Sequence, residues 1–189
     1  MKNLLISQIE NYLPFNEQEE KDKSLILCAL KEQPDIFLRS NNMAHMTASS
    51  WIVNPSKDRV LMAYHNIYDS WSWLGGHADG CEDLLSVAIR EAMEESGITS
   101  VKAVSDDIFS LECLTVDGHV KHGQYVSSHL HLNITYLLEA DENEALHTRN
   151  GENSGVRWFS LEDAVKASSE PWFKEHIYRK LNTKLSHFT

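Results

Sequence analysis

The residues with the clearest chemical potential are three glutamates, Glu91, Glu94 and Glu95. They gather at the end of the stretch GGHADGCEDLLSVAIREAMEESGI, residues 75–98. On a helix, positions i, i+3 and i+4 are neighbours, so the three carboxylates share one edge. Glu91 and Glu95 then repel as an i, i+4 pair by roughly 0.2–0.5 kcal/mol. All three also crowd the negative end of the helix dipole, at roughly 0.3–1 kcal/mol each when exposed. Arg90 offsets part of this, for instance by pairing with Glu94 at i+4. A hard divalent cation removes both penalties, and Mg2+ or Mn2+ take carboxylate oxygens by preference. Such an ion polarises phosphoryl oxygens and activates a water. A solvated acidic helix face would show the same run of glutamates with no ligand at all, so the surrounding residues must decide.

The helix that carries the glutamates is set by its ends. Asp83 is placed to cap the N-terminus, Gly97 suits the left-handed position after the last turn, and Ile98 supplies the apolar contact beyond it. Leu84, Leu85, Ala88 and Ala92 fall on one arc and are expected to face a core. Gly75 and Gly76 are expected to open a short loop that also carries Gly80 and Glu82.

From Gly76 to Ile98 the chain resembles the signature of the Nudix (MutT-like) hydrolases. That signature reads glycine, five residues, glutamate, seven residues, Arg-Glu, an apolar residue, any residue, Glu-Glu, any residue, glycine, apolar residue. Gly76, Glu82, Arg90, Glu91, Ala92, Glu94, Glu95, Gly97 and Ile98 fill those places. The resemblance implies an α+β fold, a mixed β-sheet between helices in an α/β/α sandwich, over about residues 45–170. It implies hydrolysis of a nucleoside diphosphate linked to another moiety, a small-molecule substrate, with Mg2+ or Mn2+ as cofactor. Carried over by position, Glu91, Glu94 and Glu95 hold the metal together with the backbone carbonyl of Gly75 or Gly76, and Arg90 orients Glu91. Glu82 is more structural or outer-shell than a direct ligand. The general base is a glutamate of this segment or one from a later loop, where Glu152, Glu144 and Glu142 stand; Glu152 is the first choice. The loop 141–155 is long and polar, and Gly151 and Gly155 free its backbone around Glu152.

The chain has 189 residues, enough for one domain with a real core. Its 17 Lys and Arg against 28 Asp and Glu give a net charge of −11. That balance speaks against sequence-independent nucleic-acid binding and against an anionic-membrane binder. Cys28, Cys81 and Cys113 are odd in number and show no CxxC spacing, so they read as reduced thiols of a cytoplasmic protein. No apolar stretch is long enough to span a bilayer.

Residues 1–43 read as a helical extension and 44–189 as the hydrolase domain. A short helix over 3–13 ends at Pro14, and Asn16 with Glu19 forms a capping box for a second helix that stops at Pro34. The extension is too small for its own core and is expected to pack on the domain or at a homodimer contact. MTASSWIV and RVLMAYH flank a turn and read as a hairpin; SWSWL is a third strand feeding the glycines. IFSLECLTV is a strand closed by an Asp117-Gly118 turn. SSHLHLNITYLLEA alternates, with Leu130, Leu132, Ile134 and Tyr136 on one face and His129, His131, Asn133 and Thr135 on the other. VRWF is the last strand. Ser160 caps a helix to residue 167, and Pro171 starts a final helix carrying Trp172, Phe173, Ile177 and Leu181.

His129 and His131 read as lining the substrate cleft; as a zinc pair they lack further ligands in the sequence. Arg39 and His45 precede the first strand and suit phosphate contact or a surface ion pair equally. Trp51, Trp71, Trp73 and Trp158 read as packing residues. Two rival functions stand beside hydrolysis. Isopentenyl diphosphate isomerases share the fold, but this chain has Leu74 or Gly75 where their catalytic cysteine would be. A non-catalytic nucleotide-binding sensor is expected to lack a metal carboxylate, and all three are present.

Overall fold

The computed structural model describes residues 1–121 and 123–188. The chain opens with α1 (Lys2–Asn11) and α2 (Glu17–Glu32), followed by β1 (Ala44–Val53), β2 (Arg59–His65), β3 (Ser70–Ser72) and β4 (Leu74–His77). Then come α3 (Leu84–Ser96), β5 (Val101–Ala103), β6 (Ser110–Val116), β7 (His119–Lys121), β8 (Gln124–Val126) and β9 (His129–Ala140). The chain closes with β10 (Asn153–Ser160), α4 (Leu161–Ala167), α5 (Pro171–Phe173), a π-helical stretch (Lys174–Tyr178) and α6 (Arg179–Leu185).

One mixed sheet runs β10-β2-β1-β9-β5, with β3 on β2, β4 on β1 and β6 on β9; β7 and β8 form a separate hairpin. Alternation assigns its faces. Met46, Ala48 and Ile52 of β1 and Leu132, Ile134, Tyr136 and Leu138 of β9 share a core with Leu84, Val87, Ala88 and Ala92 of α3. Trp51 and Val53 of β1 and Leu137 of β9 instead meet Ala164, Ile177, Tyr178 and Leu181 of the C-terminal helices. The sheet therefore lies between two helical layers, the α/β/α arrangement expected. Leu5, Ile9, Ile26, Ala29 and Leu30 of the N-terminal helices join the α3-side core, so the extension packs on the domain. No helix among the described residues is long and apolar enough to cross a membrane.

The expected β1–β2 hairpin is open. The two strands pair only at Val53↔Val60, beside the Asn54 amide that donates to the Arg59 carbonyl (3.2 Å). Along Thr47 to Ser50 the edge of β1 is taken by β4. Gly75 and Gly76 are thus in a strand, not in a loop. Gly75 permits this pairing because a Cβ there would lie 2.5 Å from the Ala48 carbonyl oxygen. The β7–β8 hairpin after Asp117-Gly118 was not legible in the sequence, and β10 starts at Asn153, ahead of VRWF. In the final helical run Ile177 and Leu181 are buried as expected, but Trp172 is exposed.

Polar residues on the second face of β9 are buried rather than solvated. Asn133 Oδ1 accepts from the Thr47 and Ser49 hydroxyls (2.9 Å each), and its Nδ2 donates to Glu112 Oε2 (3.1 Å) and to Thr135 Oγ1 (3.0 Å). The network continues through Ser110 to Glu19, and Lys180 Nζ donates to Glu112 Oε1 (3.0 Å). Glu19 was expected to return to the N-cap amide of α2. The Asn16 side chain does accept from the Glu19 amide (3.0 Å), but the Glu19 carboxylate takes the Phe15 amide (2.8 Å), the Tyr12 hydroxyl (2.6 Å) and Lys184 Nζ (2.8 Å).

Burial raises the Glu19 carboxyl pKa, but Lys180 and Lys184 outweigh it and bring the value down to about 2. A depressed carboxyl pKa stabilises the fold above the unfolded value and loses that contribution as pH falls through the folded one. Glu19→Gln is therefore expected to lower the unfolding free energy at neutral pH by about 3–5 kcal/mol, the range for breaking a buried ion pair. The gap from wild type should narrow between about pH 4.5 and 2. Urea unfolding across that range checks both.

Candidate active site

α3 forms as its ends dictate. The Asp83 side chain accepts from the Ser86 amide (3.2 Å). Gly97 adopts φ +73° and its amide donates to the Met93 carbonyl (2.8 Å), with Ile98 buried beyond it. Leu84, Ala88 and Ala92 face the core, and Leu85 is half-buried.

Glu95 departs from its expected place at the rim. It lies three residues after Ala92 and seven after Ala88, so it falls on the buried arc and is only 3% exposed. Its Oε2 accepts from the Gly75 amide (3.0 Å), and its Oε1 is 3.9 Å from His65 Nε2. Burial pushes its carboxyl up to about 8, against the Gly75 amide and with help from the charges of Glu91 and Glu152. The Asn153 side chain ties the Glu95 carbonyl (2.8 Å), joining β10 to the end of α3.

The other carboxylates converge on one guanidinium. Arg149 Nη1 lies 3.4 Å from Glu91, 3.0 Å from Glu94 and 3.2 Å from Glu152. Arg90 pairs with Glu91 (2.9 Å) and stands 3.8 Å from Glu94. Gly76 lies against Glu91: a Cβ there would come within 2.6 Å of the Glu91 carboxyl carbon. Four carboxylates thus meet where β4, the end of α3 and the loop before β10 come together. Sequence reasoning missed Arg149 and His65. Arg149 is the lone Lys or Arg between 141 and 155, a signal that was present.

Glu142 and Glu144, the other base candidates, sit elsewhere. Glu142 accepts from the Asn54 side chain (2.9 Å) and faces Arg59 (3.4 Å). Glu144 takes the Thr99 amide (2.5 Å) and hydroxyl. Glu82 accepts from the Lys2 amide (2.7 Å). Arg39 forms a two-point pair with Asp79 (2.5 Å). His45, His129 and His131 are brought together, with His77, but not among the carboxylates. Leu74 and Gly76 point toward α3, so His77 points to the opposite face of the sheet.

The oxygen-only donor set and the buried, poorly compensated Glu95 fit a hard divalent cation. Gly76→Ala is expected to displace Glu91 and cost on the order of 10²-fold in turnover, the scale for a misplacement of about 1 Å. The displaced carboxylate should also weaken Mn2+ binding by calorimetry, while the circular dichroism of the fold stays unchanged.

The NUDIX domain pattern matches residues 43–181. The chain is 27% identical to an RNA pyrophosphohydrolase of Pelagibacter ubique over 129 residues, 67% of this chain and 80% of the relative. It is 25% identical to a probable DHNTP pyrophosphohydrolase of Lactococcus lactis over 181 residues, 96% of this chain and all of the relative. Among solved structures, a Nudix-family hydrolase from Clostridium perfringens superposes with a TM-score of 0.54 at 24% identity, covering 77% of this chain and 98% of that one. An Ap4A hydrolase complex from C. elegans does so at 0.53 and 23%, covering 76% and 96%. With its mixed sheet between two helical layers and its glutamates at the end of α3, the chain belongs to the Nudix family.

Proposed function

We propose that this Nudix enzyme, which acts on pyrophosphate bonds, is a metal-dependent hydrolase of a nucleoside diphosphate linked to another moiety. One observation carries the reading: Glu91, Glu94 and Glu152 converge on a single guanidinium beside the buried Glu95. Four carboxylates against two arginines are a setting for Mg2+ or Mn2+, held by Glu91, Glu94, Glu95 and the Gly76 carbonyl. When bound, the ion neutralises phosphoryl oxygens and lowers the pKa of a water. The pyrophosphohydrolase names of the two curated relatives support the same bond.

The chain's own groups do the positioning. Arg90 holds Glu91, and the Gly75 amide holds Glu95 at a fixed distance from the end of α3. Glu152 is half-exposed at the last residue before β10, and its position on Arg149 beside Glu91 and Glu94 supports it as the group that takes a proton from an attacking water. Arg149 is the cation that reaches the site from the loop before β10, and it suits a phosphate contact once substrate enters. A net charge of −11 favours a small substrate over a polynucleotide. Three free cysteines support a cytoplasmic location. The isomerase reading loses ground because Leu74 is buried in β4 and Gly75 lies against the backbone of β1.

A panel of ADP-ribose, nucleotide sugars and dinucleoside polyphosphates tests the proposal. Hydrolysis to phosphate-bearing products is expected only with Mg2+ or Mn2+, and chelator is expected to abolish it; turnover unaffected by chelator would overturn the metal role. Glu95→Gln is expected to cost roughly 10²–10⁴ in kcat with the fold intact.

The base is tested by pH–rate profiles of three single variants. Glu152→Gln should lose the acidic limb and most of its turnover, while Glu142→Gln and Glu144→Gln behave as wild type. If Glu152→Gln also behaves as wild type, the base is one of the glutamates of α3.

A further inference from the structure

On the face of the sheet away from α3, four histidines from three strands form a second cluster. His45 on β1 and His131 on β9 are direct partners in the parallel ladder, and His77 ends β4, two residues from the pairing of Gly75 with Ser49. The His45 ring lies 5.1 Å from His77, 4.9 Å from His129 and 5.0 Å from His131, centroid to centroid. His77 and His131 are 4.8 Å apart. One ring nitrogen from each of His45, His77 and His131 lies within 4.8 Å of the others.

Hydrogen bonding fixes what two of these rings present. His45 Nδ1 faces the Asn41 carbonyl (3.0 Å) and His129 Nδ1 the Ser127 carbonyl (2.8 Å). A carbonyl only accepts, so each Nδ1 carries the proton and each neutral ring offers an Nε2 lone pair. His45 is 4% exposed, and its Nε2 has no hydrogen-bond partner among the described residues. A buried acceptor without a donor is costly, and four imidazoles have few protons to exchange. His129 Nε2 and His131 Nε2 stand 3.3 Å apart. That is about the edge of a tetrahedron with Zn–N bonds of about 2.0–2.1 Å. Ring nitrogens gathered this closely from three strands are a donor set for a cation rather than an anion. A carbonyl behind a ligating imidazole is also the usual outer support of such a ligand.

We propose that His45, His77 and His131, with His129 at the fourth position, bind one divalent transition-metal ion of the zinc class, separate from the carboxylate site. The donor chemistry separates the two sites: imidazole favours Zn2+ and Co2+, whereas the all-oxygen set around Glu91 and Glu95 favours Mg2+. Tetrahedral geometry asks the three nitrogens to close by at most about 1.5 Å, which side-chain rotation supplies. The ion would tie the ends of β1, β4 and β9 together, at the end of the same strand that holds Gly75 and Gly76.

The test uses full-length protein stripped by chelator, dialysed, and titrated with Co2+ in a large excess of Mg2+. One equivalent of Co2+ is expected to bind with the intense visible absorption of a tetrahedral nitrogen site, and Zn2+ is expected to displace it. Glu91→Gln and Glu95→Gln should keep that spectrum, whereas His131→Gln and His77→Gln should weaken binding on the order of 100-fold. Displacement by Mg2+, a weak octahedral spectrum, or unchanged binding in a folded histidine variant would overturn the proposal. Should His131→Gln fail to fold, His77→Gln and the wild-type competition with Mg2+ decide the matter alone.

Discussion

Ten consecutive residue pairs join β1 to β9 in parallel, from Ala44↔Leu130 to Val53↔Glu139, and everything else is placed by that ladder. A parallel pair in the middle of a sheet is covered on both faces, so each strand must sort its side chains twice. On the α3 side both strands are mostly apolar, with the Ser50 hydroxyl satisfied by the Leu74 carbonyl. On the other side both change character together along their length: His45 meets His131, Thr47 meets Asn133, Ser49 meets Thr135, and Trp51 meets Leu137. A one-residue slip would exchange the two faces and bury histidine and asparagine against α3, so the register is fixed strongly.

From this ladder the candidate active site follows by one more pairing. β4 lies antiparallel on β1, and the two glycines let its backbone approach both β1 and α3. That closeness brings the Gly75 amide to Glu95 and leaves room for the Glu91 carboxylate over Gly76. The site therefore combines strain and order: carboxylates crowded at the negative end of a helix, one of them buried, each held by a backbone amide or an arginine. Such a constellation is costly to keep without a cation and rigid enough to orient one.

The buried polar network on the opposite face has a different role. Glu19, Glu112, Lys180 and Lys184 link the N-terminal helices, β6 and the last helix through ion pairs that are fully enclosed. Buried ion pairs add little net stability, but removing one partner strands the rest. They lock the N-terminal helices to the C-terminal ones, so residues 1–32 behave as part of the same packed body as the sheet.

The sequence by itself determined the local features. Asp83 and Gly97 fixed α3, Asn16 and Ser160 fixed two further helix starts, and alternation in β9 separated its faces, because caps and periodicity act over a few residues. The spacing of Arg90, Glu91, Glu94 and Glu95 located the reactive helix end for the same reason. Tertiary structure decided what depends on partners far along the chain. Glu95 is buried because Gly75 and His65 cover it, the glycines are in a strand because β1 has an edge to fill, and Arg149 enters the carboxylates from a loop more than fifty residues away. The histidines at 45, 77, 129 and 131 form one cluster only through strand pairing, and no short spacing in the chain could announce it.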